Sequence, residues 1–279
     1  MRARVGAPAG SVGGLSTNAP LTTVMMAAYR SEATIREAVD SVLGQTEPRL
    51  ELVVVDDCSP VPVAETLADV HDPRLRVIRH RRNRGTYGAR NTALAAARTP
   101  LVSQLDPDDA WEPDYLESIA PCFEDARVGL AYSNCHIVGH PTGHDDYIGD
   151  PSVHPMDAFP KFAEQCPVPS PTATMRTHAV RGVGGYARWL WTAGDYYLYA
   201  QLIKAGWRFA YVHRQLSRYR WPSPKSGKSF NRRKAAVNEL AMWTAFAARH
   251  PLTPGPRGQV RARARRAAAS ALRRARRGA

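Results

Sequence analysis

Three carboxylates lie within four residues of this 279-residue chain, at Asp106-Pro107-Asp108-Asp109. Carboxylates this close repel one another unless a cation neutralises them. Their hard oxygen atoms suit Mg²⁺ or Mn²⁺, and either cation also binds a diphosphate. A solvated acidic turn would show the same residues, but the apolar segment 101–105 directly upstream favours a site at the end of a buried strand. We therefore hypothesise a metal site at Asp108 and Asp109.

A second acidic pair, Asp56-Asp57, follows another apolar segment, residues 50–55, and precedes Cys58 and Ser59. A carboxylate at this place can accept hydrogen bonds from a nucleobase or a ribose. Asp and Ser are also favoured as helix N-caps. The residues alone leave both interpretations open.

Arginines and glycines are concentrated just downstream of this pair. Residues 79–84 include four arginines, and two glycines follow before Arg90. Guanidinium groups match phosphate geometry, and glycines let a backbone approach a phosphate closely. A solvated basic loop is the alternative for Arg81 and Arg82. Arg90 precedes a helix predicted over 91–98, where a cation opposes the helix dipole and needs another partner.

Alternating strands and helices position these residues. Short apolar runs predict buried strands, and apolar side chains spaced three and four apart predict helices. Such alternation predicts a doubly wound, mostly parallel α/β sheet, whose ligands bind beyond the carboxyl ends of the strands. Acids from separate segments should therefore meet in one crevice. The predicted strands are 23–28, 50–55, 75–78, 101–105, 128–133 and 209–212, and the predicted helices are 35–43, one from about 62, 91–98, 194–205 and 229–249.

The net charge of +13 is concentrated at the two ends of the chain. Residues 257–279 hold nine arginines and no acid, and residues 1–20 hold two arginines and no acid, which leaves the rest with a net charge of +2. A nearly neutral body argues against a specific nucleic-acid binder. We expect 257–279 to be a solvated tail, with peripheral contact to an anionic membrane as the alternative.

Several classes of protein are disfavoured by composition. No apolar run reaches the roughly 18–20 residues of a membrane-spanning helix, and the N-terminal segment lacks the apolar core of a secretory signal. The four cysteines are far apart and form no C-x-x-C pair, so we expect free thiols rather than zinc ligands. These features predict a cytoplasmic protein, at most peripheral to the inner face of a membrane.

The ordered set of motifs resembles the inverting family-2 glycosyltransferases, which have the Rossmann-like GT-A fold. The resemblance covers about residues 21–221 and is specific as a set, although each motif alone is short. In the second half it rests on Gly184-Gly185-Tyr186 followed by Gly194-Asp195. In the first half the matching segments are 24–29, 41–46, 52–59, 83–85, 89–91 and 105–109.

The resemblance implies an enzyme that moves a sugar from a nucleoside diphosphate sugar, with UDP-sugars favoured, to a hydroxyl of a saccharide or other acceptor. It implies that Asp195 is the base that takes the acceptor's proton, and that Mn²⁺ or Mg²⁺ at Asp108 and Asp109 binds the diphosphate. The nearest rivals of Asp195 for the role of base are Asp145, Asp146 and Glu164. The residues then expected to bind the nucleotide sugar are Ala27, Tyr29 at the base, Asp56 and Asp57 recognising that base, Asp106 at the ribose, and Arg90 steadying the nucleotide.

The chain departs from the family pattern at some of these places. Ala27 and Arg30 stand where many relatives have Pro and Asn, and Gly194 stands where a Glu is common. Trp221 replaces a frequent His, so no histidine metal ligand is expected. Trp189, Trp191 and Trp221 are candidates for stacking on an acceptor sugar, with core packing as the alternative.

One catalytic domain is predicted rather than two. Two other functions remain open. A sugar nucleotidyltransferase would favour a Gly-rich phosphate loop after the first strand, which 27–31 is not, and a non-catalytic relative would bind acidic surfaces through its basic tail. The predicted organisation is a disordered segment 1–20, a GT-A domain 21–250 (nucleotide-binding half 21–127, acceptor-binding half 128–228, C-terminal helix 229–250) and a basic tail 251–279.

Overall fold

The computed structural model describes residues 19–147, 166–221, 232–250 and residue 265. The predictions for 1–18, for most of the basic tail and for Glu164, a rival base, lie outside these residues. The strands are β1 (Thr22–Ala28), β2 (Leu50–Asp56), β3 (Leu75–Arg79), β4 (Leu101–Gln104), β5 (Ala110–Trp111), β6 (Val128–Val138), β7 (Thr174–Arg176) and β8 (Arg208–Arg220). The helices are α1 (Ile35–Leu43), α2 (Val63–Thr66), α3 (Thr86–Ala96), α4 (Tyr115–Ile119), α5 (Thr177–Gly182), α6 (Gly194–Lys204) and α7 (Arg232–Arg249).

These strands form one sheet in the order β3-β2-β1-β4-β7-β6-β8-β5. The first four pair in parallel, as do β6 and β8, whereas β7 runs antiparallel to both β4 and β6 and β5 runs antiparallel to β8. The predicted class, a mostly parallel α/β sheet flanked by helices, is confirmed.

Two apolar layers cover the faces of the sheet. The central strands read as continuous apolar runs because both of their faces are buried, and Val24, Met25 and Met26 are fully covered. On one face, α1 and α4 pack in a core that includes Ile35 and Val42. On the other face, α3, α5, α6 and α7 share a second core. Helices on both sides leave only the strand ends open to a ligand.

The largest difference from the sequence prediction is the start of α3. This helix begins at Thr86, five residues earlier than predicted, so Arg90 lies inside the helix rather than at its start. Thr86, Tyr87 and Gly88 are poor helix formers, and tertiary packing overrides their propensity. Strands β6 and β8 are also longer than predicted, and β5 and β7 were not predicted.

The cysteines and the helices bear on two further expectations. All four cysteines are free, as predicted. Within the described ranges, no helix combines the length and the apolar character needed to cross a membrane.

Candidate functional site

The loops that follow β1 and β2 meet at the carboxyl edge of the sheet. Ala27 pairs in parallel with Val55 near the end of both strands. Beyond the strands, the Asp57 N–H donates to the Ala28 carbonyl at 2.8 Å, and the Arg30 N–H donates to the Ser59 hydroxyl at 3.3 Å. The predicted nucleotide-binding residues of these two segments therefore share one edge.

Tyr29 presents an aromatic face at this edge. Its side chain is 45% exposed, and the Arg30 guanidinium lies 5.4 Å from the ring centroid. Arg30 adopts a left-handed backbone, with φ of 53°, directly after the ring. An accessible ring is what stacking on a nucleobase requires, and this role of Tyr29 stays a prediction.

Asp56 is turned into the protein. Its carboxylate accepts hydrogen bonds from the N–H groups of Ser59 at 2.8 Å and Val63 at 3.1 Å, and from the Arg79 guanidinium. Burial works against its negative charge, but these bonds keep the pKa of Asp56 below its ordinary value. With 1% of its surface exposed, Asp56 holds the loop after β2 to the start of α2.

Asp57 is equally enclosed, and it organises the loop that carries the arginines. One carboxylate oxygen bonds His80 Nδ1 at 2.7 Å and the Arg84 N–H at 2.8 Å, and the other accepts the Gly85 N–H at 2.7 Å. The far ring nitrogen of His80 bonds the Thr92 hydroxyl at 2.9 Å. Base recognition by Asp56 and Asp57 stays a prediction, and in this arrangement it would act through the loop that Asp57 shapes.

The acidic turn after β4 differs from Asp56-Asp57 in that side-chain hydrogen bonds do not compensate the negative charge of Asp108. Asp108 is exposed, and among the described residues no other side chain donates a hydrogen bond to its carboxylate. Although the residue is exposed, the surrounding protein removes part of the water around its carboxylate. This desolvation, and next the charge of Asp106, raise the pKa of Asp108 to about 6. Burial, then Asp108 and Asp106, raise the pKa of Asp109 well above its ordinary value, although Asp109 accepts the Arg220 N–H at 2.8 Å.

Arg90 lies beneath this turn, and only 2% of its surface is exposed. Its guanidinium donates to Asp106 at 2.6 Å and to the Ser170 hydroxyl at 3.2 Å, and it lies 5.6 Å from the ring centroid of Tyr186. The argument from the helix dipole was wrong, because Arg90 is in the interior of α3. The structure instead gives Arg90 the task of fixing the Asp106 carboxylate.

Asp195 belongs to the other half of the chain and lies at the start of α6. It is the second residue of α6, directly after Ala193 and Gly194, and it is half-buried. Its carboxylate accepts the Tyr196 N–H at 2.9 Å, and its charge acts on Arg90. Arg90 therefore lies under the influence of acids from both halves.

The turn 184–186, which follows α5, is hydrogen-bonded to α3. Asn91 both donates to the Tyr186 carbonyl at 2.8 Å and accepts the Tyr186 N–H at 2.9 Å. Gly185 has a φ of 69°, and a Cβ atom there would lie 2.7 Å from Asn91 Oδ1. The two motifs around Asn91 and Gly185 are thus one structural unit that sets the distance between Arg90 and the segment leading to Asp195.

A buried polar network missed by sequence reasoning supports this unit. Gln104 Nε2 donates to the Ser170 carbonyl at 2.8 Å and to the Tyr199 hydroxyl at 2.6 Å, and Gln104 Oε1 accepts the Tyr186 hydroxyl at 2.6 Å. A glutamine inside the apolar run of β4 was the available signal. Buried polar groups of this kind are expected to be fully bonded.

Arg220, at the end of β8, is a second residue that sequence reasoning did not assign. Its Nε donates to the Asp108 carbonyl at 3.1 Å, and its guanidinium also donates to Glu37 at 2.8 Å. The signal was the Tyr219-Arg220 pair before Trp221, whose ring packs against His140. A partly exposed cation thus adjoins the acidic turn.

The acidic turn fits a divalent cation that a ligand completes. Among the described residues, no cluster of three or more His, Cys, Asp or Glu side chains could hold a metal alone. Mg²⁺ is commonly held by one or two carboxylates together with substrate phosphates. The exposed Asp108 carboxylate is suited to bind the cation directly. Asp109 accepts the Arg220 N–H and is suited to hold the turn in position.

Comparison with known families gives a match over more than half of the chain. The family model described as glycosyl transferase family 2 matches residues 23–179. The segment matched includes β1, β2, β4 and the acidic turn, and it ends before Asp195.

Curated relatives are similar over part of their length. The succinoglycan biosynthesis protein ExoO of Rhizobium meliloti is 40% identical over 119 residues, which are 43% of this chain and 34% of that protein. An Escherichia coli protein, the UDP-Glc:alpha-D-GlcNAc-diphosphoundecaprenol beta-1,3-glucosyltransferase WfaP, is 32% identical over 42% of this chain and 47% of its own. The pre-mycofactocin glycosyltransferase of Mycobacterium tuberculosis is 31% identical over 68% of this chain and 40% of its own. These alignments span less than half of each relative.

Solved structures share the fold. TarS of S. aureus in complex with UDP-GlcNAc has a TM-score of 0.68 at 18% identity, over 86% of this chain and 70% of the other. The mannosyltransferase PcManGT of Pyrobaculum calidifontis, in complex with GDP-Man and Mn²⁺, has a TM-score of 0.67 at 24% identity, over 94% and 77%. At these identities the likeness establishes the GT-A fold.

Proposed function

The chain belongs to glycosyl transferase family 2, and from that premise we propose that it transfers a sugar from a nucleoside diphosphate sugar to an acceptor hydroxyl, with inversion at the anomeric carbon. The observation that carries the proposal is the convergence on Arg90 and Asn91. Asp106 from the first half bonds this buried arginine, and the next residue, Asn91, exchanges two hydrogen bonds with Tyr186 in the segment of the second half that leads to Asp195. A transferase that joins two substrates needs such a junction between a donor side and an acceptor side.

On the donor side, the nucleotide is bound at the edge formed by Ala27, Tyr29 and the loop that Asp57 holds. Asp106, fixed by Arg90, accepts hydrogen bonds from the ribose. The names of two relatives, WfaP and WfgD, contain UDP-Glc, and TarS binds UDP-GlcNAc, which supports a UDP-sugar as donor.

Asp108, with the donor diphosphate, would hold Mn²⁺ or Mg²⁺, which when bound supplies positive charge that stabilises the departing diphosphate. The exposed, uncompensated carboxylate of Asp108 supports this role. The solved structure of PcManGT, which has the same fold, is a complex with GDP-Man and Mn²⁺. Asp109 keeps the turn attached to the end of β8 through the Arg220 N–H.

On the acceptor side, Asp195 is the general base. The acceptor oxygen bonds to the anomeric carbon on the face opposite the diphosphate, the bond from that carbon to the diphosphate breaks, and the acceptor's proton passes to the Asp195 carboxylate. A base placed in this way contributes about 10²–10⁴-fold to the rate.

The test is a screen of UDP-, GDP- and dTDP-sugars for Mn²⁺-dependent hydrolysis, followed by turnover of Asp195→Asn. Asp195→Asn should lose about 10²-fold or more in kcat with donor affinity nearly intact. The matched control is Asp69→Asn, an exposed acid paired with Arg36, whereas wild-type turnover in Asp195→Asn would transfer the role of base to a rival such as Asp145. Hydrolysis of none of the donors would contradict the function, and a product of retained configuration would contradict the mechanism.

The basic tail supports a second, separate proposal of peripheral attachment to an anionic membrane. Nine arginines without an acid in 257–279 would each contribute about 1 kcal/mol near such a surface. Sedimentation with anionic vesicles should show pelleting that is lost on truncation at residue 256. Equal pelleting of both proteins would contradict it.

A further inference from the structure

Two exposed side chains lie together in the loop that leads to Asp195. Trp189 is 55% exposed, the largest fraction among the large hydrophobic side chains of the described residues. Its neighbour Arg188 is exposed as well, and within the described ranges no group accepts a hydrogen bond from its guanidinium. An indole of this size left in water forgoes the stabilisation that burial would give.

Three other tryptophans beyond residue 190 pack against neighbouring residues of the fold. Trp191 is covered by Lys234, whose Nζ lies 4.0 Å from the ring centroid. Trp221 packs edge-on against His140 at 4.2 Å, and Trp243 is fully buried. Of the three tryptophans that could have stacked on an acceptor sugar, Trp189 therefore keeps the most accessible ring.

The loop that carries Trp189 is held in place. The next residue, Leu190, is buried, and the Trp191 N–H donates to the Asn238 side chain at 2.7 Å. The Trp189 ring itself stands edge-on to Tyr197, with centroids 5.8 Å apart and planes at 75°. A ring fixed in this way loses little entropy when a ligand stacks on it, which favours binding.

Both ends of the loop are attached to the proposed site. It starts at Tyr186, whose ring lies 5.6 Å from the Arg90 guanidinium. It ends at Gly194, where a Cβ atom would lie 2.6 Å from the Tyr87 ring. Tyr197, the contact of Trp189, follows Asp195 by two residues, about 3 Å along the helix axis. Side chains two residues apart on a helix point about 200° apart, so the indole packs at the end of α6 that carries the proposed base, on a different face of the helix from Asp195.

We propose that Arg188 and Trp189 form an acceptor subsite for an anionic saccharide, in which the indole stacks on the C–H face of a sugar ring and the guanidinium binds a phosphate or carboxylate on it. The subsite rests on the proposed function, since it names the acceptor class of the same site. Planar guanidinium groups bind both kinds of anion in a bidentate manner. Because the indole and Asp195 lie on different faces of α6, a saccharide that contacts both spans more than one sugar, and the anion belongs to a unit beside the reacting one.

Binding can be followed without turnover through the six indole N–H signals of ¹⁵N-tryptophan-labelled protein, with Trp189 assigned from Trp189→Phe. The probes are a phosphorylated chitobiose, a galacturonate trisaccharide and the neutral chitotriose, each added with UDP and Mn²⁺. The Trp189 signal should shift with one or both anionic probes, and which of them acts distinguishes phosphate from carboxylate. Arg188→Gln should weaken the anionic probe by about tenfold, the loss of one charge-assisted hydrogen bond, and leave chitotriose unchanged.

The control is Val237→Ala, because Val237 is comparably exposed on α7 and its loss should leave every titration unchanged. A Trp189 signal that moves with no saccharide, or that moves only with phosphatidylglycerol vesicles, overturns the subsite. If the wild type still hydrolyses a donor in that case, the proposed function stands without it. If the wild type hydrolyses no donor, the proposed function fails and the subsite falls with it.

Discussion

Two acidic turns follow β2 and β4, the strands on either side of β1, and they treat their charges in opposite ways. At Asp56-Asp57, backbone N–H groups, an arginine and a histidine satisfy both carboxylates. At the turn 106–109, Asp108 is left without such partners, and its pKa and that of Asp109 are raised. The two turns look alike in sequence, since each places adjacent acids after an apolar strand.

The difference indicates what each turn is for. A carboxylate whose bonds are completed by the fold stabilises that fold, and it has little left to offer a ligand. A group of carboxylates that repel one another costs stability, and such a cost is typical of functional sites. We therefore expect the first turn to respond to substitution in stability and the second to respond in activity.

The largest expected effect is at Asp108. Asp108→Asn should lower kcat/KM by about 10³-fold, because loss of a ligand to the cation removes several kcal/mol of charge stabilisation. The free energy of unfolding should be unchanged or rise, since a repulsive charge is removed. Chelator-sensitive donor hydrolysis and urea unfolding measure the two quantities, with Asp69→Asn as the control.

If Asp108→Asn were less stable than wild type but equally active, the turn 106–109 would be structural like the turn at Asp56-Asp57, and the proposed difference between them would be wrong. Unchanged affinity of this variant for UDP with Mn²⁺ would remove Asp108 from the metal site. Loss of activity in both Asp108→Asn and Asp69→Asn would point to a general effect of charge.

The next effect should appear in stability at Asp56. Asp56→Asn removes the charged acceptor of the Ser59, Val63 and Arg79 bonds and should cost about 2–3 kcal/mol of unfolding free energy. Because the folded pKa of Asp56 is lowered, this stabilisation is present above the unfolded value near 3.9 and is lost as the pH falls through the lower folded value. The difference between wild type and variant should therefore shrink below about pH 4.

Urea unfolding at pH 7 and at pH 3 tests this, with Asp69→Asn as the control. Asp69 forms an exposed ion pair with Arg36, and exposed pairs contribute little to stability because solvent screens their charges. If Asp56→Asn were as stable as wild type at pH 7, the first turn would not be the structural one.

The positions of the two acidic turns could be predicted from the sequence, but the role of each turn could not. The strands β1, β2 and β4 are buried on both faces and are therefore continuous apolar runs, so their ends could be found and the acids placed after them. Burial of the acids depends on distant partners. Asp109 and Arg220, for example, are 111 residues apart, and no local pattern links them.

Arg90 shows the same limit for a helix. The first turn of α3 contains residues of poor helix propensity, so its true start and the burial of Arg90 were not predictable from periodicity. Asp195 was identified through a family motif rather than a spacing rule, and its role stays a prediction.

A smaller effect is expected at Asp57, which shapes a loop. Asp57→Asn keeps one acceptor oxygen but turns an N–H₂ group towards a backbone N–H, and it should cost about 1–2 kcal/mol. The loss should be local, so exchange of the Arg84 and Gly85 amides with solvent should accelerate more than exchange in β2. Equal acceleration in both places would mean that Asp57 supports the whole fold, as Asp56 does.

The smallest effect should be at Tyr29, which lies between the two turns and contributes to neither. Its ring is accessible and lies beside the Arg30 guanidinium, so Tyr29→Ala should leave the unfolding free energy within about 0.5 kcal/mol of wild type. Affinity for UDP should fall by about 1 kcal/mol, the contribution of one aromatic stacking contact, and Tyr29→Phe should retain it because stacking needs the ring and not the hydroxyl. Calorimetry with UDP and Mn²⁺ measures both variants, and Val61→Ala, another exposed apolar position, is the control. Equal affinity in Tyr29→Ala and wild type would remove the ring from the base pocket, whereas a loss shared by Tyr29→Phe would give the hydroxyl the role assigned to stacking.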